Sequence, residues 1–162
     1  MADRAPHPNV ALIERFYSAL GRRDATVMIA CYAPDATFSD PAFPALDAAG
    51  VAAMWQMLCA RGKDLAVVAS GIDADAERGR AHWVATYTYS ATGRRVENRI
   101  DATFAFRDGL IVRHEDRFDL WRWLRQALGA KGALLGWLPP VQRAVRGQAA
   151  KSLAEWRARS AG

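Results

Sequence analysis

Residues 95–119 read RVENRIDATFAFRDGLIVRHEDRFD. Asp108-Gly109 stands between two apolar runs, which is the signature of a tight β-hairpin. Two antiparallel strands are therefore expected, Arg95 to Phe106 and Leu110 to Leu120. Strand alternation sorts their side chains by face. On the first strand Val96, Asn98, Ile100, Ala102, Phe104 and Phe106 fall together, opposite Glu97, Arg99, Asp101 and Thr103. On the second, Val112, His114, Asp116 and Phe118 share a face, and Arg113, Glu115 and Arg117 share the other. The wholly charged face belongs in water, so His114 and Asp116 fall on the buried side. A carboxylate buried beside an imidazole is costly unless it is paired or used.

Upstream of this hairpin the periodicity is first helical, then extended. Val10, Ile13, Tyr17 and Leu20 lie at helical spacing between Pro8 and Leu20, with Gly21 as a stop. A short helix from Asp24 to Tyr32 has Asp24 as its N-cap and ends at Pro34. Ala36 to Asp40 reads as a brief strand closed by Pro41. Asp47 to Ala60 forms a third helix with Val51, Met54, Trp55 and Leu58 as its stripe. Strands are expected at Leu65 to Ile72 and at Arg80 to Ser90, the latter carrying Trp83, Tyr87 and Tyr89. Downstream, Trp121 to Leu128 is helical, and Val141, Val145, Ala149, Leu153 and Trp156 mark another amphipathic helix. The glycine-rich stretch Gly129 to Pro140 joins the two. Helices followed by a mainly antiparallel sheet indicate an α+β domain.

A chain of 162 residues, 51% of them hydrophobic, supports one domain with a real core. Six tryptophans suggest bulky walls around a core or cavity. Cys31 and Cys59 lie in helical patterns and read as reduced core thiols. Met1 to Asn9 is polar, holds two prolines and lacks the apolar stretch of a signal peptide. With no apolar run long enough for a membrane span, a cytoplasmic protein is expected. The net charge of +5 is uneven: residues 120–162 hold 8 basic residues and 1 acidic one, or +7. Such a tail can meet an anionic membrane surface through Trp121, Trp123, Trp137, Trp156 and the interspersed arginines. The preferred reading is that it folds back as a lid over a pocket. No nucleic-acid motif accompanies the charge, and no nucleic-acid partner is expected.

Several segments resemble one known superfamily. Ile13 to Leu20 (IERFYSAL) resembles the opening helix of nuclear transport factor 2-like proteins. Tyr32 to Pro41 (YAPDATFSDP) is similar to a segment of ketosteroid isomerases. Phe104 to Ile111 (FAFRDGLI) is similar to the strand–turn–strand of SnoaL-like polyketide cyclases. Arg113 to Asp119 (RHEDRFD) resembles the end of that sheet in SnoaL-like proteins and limonene epoxide hydrolases. The resemblance implies a cone-shaped fold: a curved mixed or antiparallel sheet, with packed N-terminal helices enclosing a pocket. It covers about residues 8 to 125, and implies a SnoaL-like domain over residues 1–125 with residues 126–162 a C-terminal helical extension packed on the same domain. It also implies a homodimer.

By that resemblance Asp40 occupies the position of the general base of ketosteroid isomerases, and Asp116 that of a catalytic carboxylate in SnoaL-like cyclases and limonene epoxide hydrolases. His114 is the candidate partner of Asp116. The departures matter too. Phe16 and Ala102 stand where ketosteroid isomerases keep their oxyanion-binding tyrosine and aspartic acid. Trp83 and Ala85 stand where the epoxide hydrolases keep an arginine and an aspartate. The expected pocket is lined by Tyr17, Phe38, Met54, Trp83, Tyr87, Asn98, Ile100 and Phe118, an apolar surface with a few polar points suited to a small apolar molecule. The sequence shows neither a phosphate-binding loop nor a paired-cysteine metal pattern, and no cofactor or metal is expected. Two readings follow: an isomerase-, cyclase- or hydratase-type acid–base enzyme, or a non-catalytic protein that binds an apolar ligand.

Overall fold

The computed structural model describes residues 5–162; Met1–Arg4, the start of the polar opening segment, lie outside the described residues. Helix α1 (Pro8–Gly21) opens with proline in its first turn and His7 as cap, whose imidazole accepts from the Asn9 amide. Asp24 caps α2 (Ala25–Ala30) through the Val27 amide. Strand β1 (Tyr32–Ser39) follows, then α3 (Ala48–Arg61), capped by Asp47. Three strands succeed one another as β2 (Ala66–Ala74), β3 (Arg78–Tyr89) and β4 (Arg94–Arg107). After β5 (Leu110–Arg117) come α4 (Leu120–Leu128), α5 (Ala130–Leu135) and α6 (Pro139–Ser160).

The five strands form one sheet in the order β1-β5-β4-β3-β2, antiparallel except that β1 runs parallel to β5. Asp108 and Gly109 both take positive φ, 52° and 75°, as the two-residue turn between β4 and β5 requires. The inward set on β4 is buried and Arg99, Asp101 and Thr103 are exposed, as the alternation predicts. A bulge in β2 between Ser70 and Asp73, with Gly71 at φ 60°, and another in the β4–β5 pairing bend the sheet.

Several expectations are corrected. β1 begins at Tyr32, not Ala36, and α2 ends at Ala30. Pro34 therefore does not follow a helix but sits inside a strand. It is tolerated there because β1 is an edge strand, and its pairing with β5 is irregular between Tyr32 and Thr37. The β4–β5 bulge inserts Val112 opposite a position already paired. Ile111 is consequently the fully buried residue and Val112 is only half-buried. β5 stops at Arg117 and Asp119 caps α4 through the Arg122 amide. The glycine-rich joiner contains α5. Leu58, read as part of the α3 stripe, is 37% exposed.

The helices α1 and α3 bury Ile13, Phe16, Leu20, Met54 and Trp55 against the concave face of the sheet. Cys31 and Cys59 are free and buried there. α6 packs on α3, setting half-buried Ala149 and Trp156 and buried Leu153 against the core. Among the described residues no helix is long and apolar enough to cross a membrane.

Candidate active site

The concave face, α3, α4 and α6 enclose a cavity of about 360 Å³. β3 contributes Trp83, Ala85 and Tyr87, and β4 contributes Asn98 and Ile100. Met54 and Trp55 close it from α3, and Val145, Ala149 and Ser152 from α6. Asp40 and Asp116 both reach this cavity, and Phe118 lines it too. A second hollow of about 430 Å³ lies between residues 42–46 and α6. Its walls are apolar with Arg146 and Arg157 and no carboxylate, whereas Asp40 and Asp116 both belong to the first.

Asp116 is 4% exposed and His114 fully buried. Being two apart on β5 they lie on one face, and His114 Nε2 is 2.9 Å from Asp116 Oδ1. The other imidazole nitrogen, Nδ1, is 2.7 Å from the Tyr32 hydroxyl. Trp55 Nε1 donates to that same hydroxyl at 3.0 Å. Asp116 opposite Nε2 can only accept, so the imidazole hydrogen belongs on Nε2, and Nδ1 is left to accept the hydrogen of the Tyr32 hydroxyl, which itself accepts from Trp55. This bond accounting assigns the tautomer. Trp83 Nε1 donates to the same Asp116 oxygen at 3.4 Å. Both bonds fall on Oδ1, which leaves Oδ2 for a molecule in the cavity.

The chain Trp55–Tyr32–His114–Asp116 is held by aromatic packing. His114 pairs with Phe38 on β1 and Phe104 on β4, its ring 5.0 Å and 4.4 Å from theirs. Phe16 closes a third side at 5.6 Å. Burial holds the Tyr32 phenol well above its ordinary value, so it remains a neutral donor.

Asp40 follows β1 in a sharp turn. Its Oδ1 accepts the Ala42 amide at 2.7 Å and the Phe43 amide at 2.6 Å. It thus caps a turn and faces the cavity at once. Burial pushes its carboxyl from 3.8 up to about 6. The negative charge of Asp116 adds to the rise, while the two amides and His114 oppose it. That value suits a base working near neutrality.

Two neutral donors complete the lining. Tyr87, raised above its ordinary value by burial, accepts a hydrogen bond from Trp123 Nε1 at 2.6 Å. Its own hydrogen is left for the cavity. Asn98 is buried and lines the same wall. Among the described residues no three histidine, cysteine or acidic side chains converge as metal ligands.

Of the residues read from sequence, Asp40, Asp116, Met54, Trp83, Tyr87, Asn98, Ile100 and Phe118 line the cavity. His114, Tyr17 and Phe38 do not. His114 stands behind Asp116, Phe38 packs on Trp55 and His114, and the Tyr17 hydroxyl is buried without a partner among the described residues. Sequence reasoning missed Tyr32 and Trp55 in the relay and Trp123 behind Tyr87. Tyr32 was hidden by its placement at a helix end. Trp55 and Trp123 give no signal beyond being aromatic.

Solved structures share this architecture. An NTF2-like protein of unknown function from Burkholderia pseudomallei superposes with a TM-score of 0.66 at 20% identity, over 74% of this chain and 97% of that one. IdmH from Streptomyces antibioticus, a candidate polyketide cyclase, gives 0.64 at 26% identity, over 76% and 100%. A limonene-epoxide-hydrolase-like epoxide hydrolase from Mycobacterium tuberculosis gives 0.61 at 19% identity, over 80% and 96%. No curated protein sequence matches the chain. Residues 13–114 match the model of the SnoaL-like domain, well over half the chain, and the protein therefore belongs to the SnoaL-like domain family.

Proposed function

We propose that the protein is a cofactor-independent acid–base enzyme acting on a small, largely apolar carbonyl or epoxide compound. The observation that carries this reading is the opening of two carboxylates, Asp40 and Asp116, into one apolar cavity, with Asp40 pushed to about 6. For a carbonyl substrate, ionised Asp40 takes the proton α to the carbonyl and becomes the acid. The enolate oxygen is met by Tyr87 and Asn98, donors in place of the oxyanion groups missing at Phe16 and Ala102. The enolate carbon then either takes a proton back elsewhere, an isomerisation, or attacks a second carbonyl of the same molecule, a cyclisation. Asp116, oriented by His114, is the second proton carrier. The 26% identity to IdmH, a candidate polyketide cyclase, supports the carbonyl branch.

A second reading is a binding protein for an apolar ligand. It is favoured by the two amide bonds on Asp40, which give that side chain a structural reason to be there.

Deuterium exchange into small apolar 1,3-dicarbonyl compounds in heavy water, followed by NMR, separates the two. The enzyme reading expects exchange faster than in buffer, lowered about 100-fold or more by Asp40→Asn with the fold intact by circular dichroism. Asp116→Asn lowers it as well. Binding without accelerated exchange, or exchange equal in both variants, supports the binding reading instead.

A further inference from the structure

We infer that the α4–α5 corner is a docking surface for an anionic lipid bilayer. Large apolar side chains gather there in the open. Leu134 is 72% exposed, Trp137 58%, Leu135 48% and Trp121 38%. They form one patch: Trp121 Nε1 donates to the Ala133 carbonyl at 3.2 Å, and Trp137 Nε1 donates to that of Leu134 at 3.0 Å. Arg125 lies over the Trp121 ring at 4.7 Å. The same α4 and α5 that carry the patch also carry Arg122 and Lys131, and Arg143 lies near the start of α6; with Arg125 all are exposed and none is in an ion pair among the described residues. The only acidic residues from 119 to 162 are Asp119, which caps α4, and Glu155, far along α6.

Tryptophan and leucine alongside arginine and lysine is the composition of an interfacial anchor: the rings enter the headgroup boundary and the cations meet anionic lipid. A second copy of the chain fits less well, because a twofold contact through this face sets each cation against its own copy. The basic tail thus divides. α6 folds back over the cavity, while α4 and α5 carry the exposed patch. α4 does both tasks, since Leu120, Leu124 and Leu128 face the cavity while Trp121 and Arg125 face outward. Docking through this corner sets one wall of the cavity beside the bilayer. The inference stands whether or not the cavity is catalytic.

The test is co-sedimentation of the full chain with vesicles of phosphatidylcholine alone and of phosphatidylcholine with about one-third phosphatidylglycerol. Binding is expected to the anionic vesicles only, weakening as salt is raised. Leu134→Ser with Trp137→Ser lowers the partition coefficient about tenfold or more, and Arg122→Gln, Arg125→Gln and Lys131→Gln together do the same. These side chains are exposed, and circular dichroism checks that the variants fold. Wild-type protein left in the supernatant overturns the inference, as does equal binding by the variants. So does a wild-type dimer, by light scattering, that Leu134→Ser with Trp137→Ser turns into a monomer without any vesicle binding.

Discussion

Tyr32 meets His114 across the β1–β5 pairing, hydroxyl to Nδ1 at 2.7 Å, while the other ring nitrogen, Nε2, reaches Asp116 at 2.9 Å. The phenol sits between the Trp55 N–H and the imidazole, accepting from one and donating to the other. In Tyr32→Phe the Trp55 N–H and His114 Nδ1 both lose their partner inside the core. Unfolding by denaturant should show a loss of about 1–3 kcal/mol. The imidazole keeps its hydrogen on Nε2, because the Asp116 oxygen opposite can only accept, and Nδ1 is left bare. Nitrogen-detected NMR of His114 should show the Nδ1 resonance move as it loses the phenol's hydrogen while Nε2 stays protonated, and an unchanged Nδ1 would remove Tyr32 from the relay.

The raised carboxyl of Asp40 ties stability and activity to pH with opposite slopes. In the unfolded chain the group has an ordinary carboxyl near 3.8, whereas the folded chain keeps its proton to about 6. Between these values the native state holds the extra proton, so stability falls as pH rises through the window and levels off above it. The loss is about 3 kcal/mol or less, at ~1.4 kcal/mol per unit. Activity should rise over the same window, because the base must be ionised. Asp40→Asn keeps an acceptor for the two turn amides and removes the titration. The difference in stability between wild type and variant should grow in the variant's favour from pH 4 to 6 and stay level above. A flat difference would place the carboxyl at its ordinary value.

What the sequence reveals and what it hides divide along physical lines. Alternation on β4 and β5 needs only local geometry, so the shared face of His114 and Asp116 could be read directly. Helix starts at Asp24 and Asp47 are legible for the same reason. The β1–β5 pairing joins residues some 75 apart in the chain and leaves no local mark. Tyr32 was missed with it, since Pro34 reads as a helix stop when the strand's edge position is unknown. The bulge that buries Ile111 instead of Val112 is likewise a property of two strands together. The Gly129 to Pro140 stretch hides α5 for another reason: Gly132 is there for close packing against α4, which no local pattern marks.

Gly132 makes that last point testable. A Cβ on it would lie 1.9 Å from the Leu124 carbonyl oxygen, a backbone atom that cannot swing aside. α5 therefore crosses α4 at a distance that only glycine allows. Gly132→Ala must push α5 off α4, at a cost of about 1–3 kcal/mol. Gly147, with nothing within 4 Å of its added Cβ, is the control. Gly147→Ala should instead stabilise α6 by about 1 kcal/mol through helix propensity. Thermal melts of the two variants should move in opposite directions. If both rose, the α4–α5 contact would be looser than the structure has it.

Ala149 tests whether α6 is a wall of the site or merely an appendage to it. It is half-buried and borders the cavity, on the same helix as buried Leu153. Ala149→Phe adds a ring to a space of about 360 Å³ without touching either carboxylate. Because the cavity has room, the overpacking penalty expected in a filled core does not apply. Stability should hold or rise slightly as the ring buries apolar surface. Binding of the 1,3-dicarbonyl compounds, by calorimetry, should fall about tenfold or more, because the ring displaces the ligand. The carboxyl of Asp40, followed by NMR, should still titrate high, since filling the cavity removes water rather than adding it. If binding were undiminished while the ring entered the cavity, the ligand site would lie elsewhere and α6 would be packing alone.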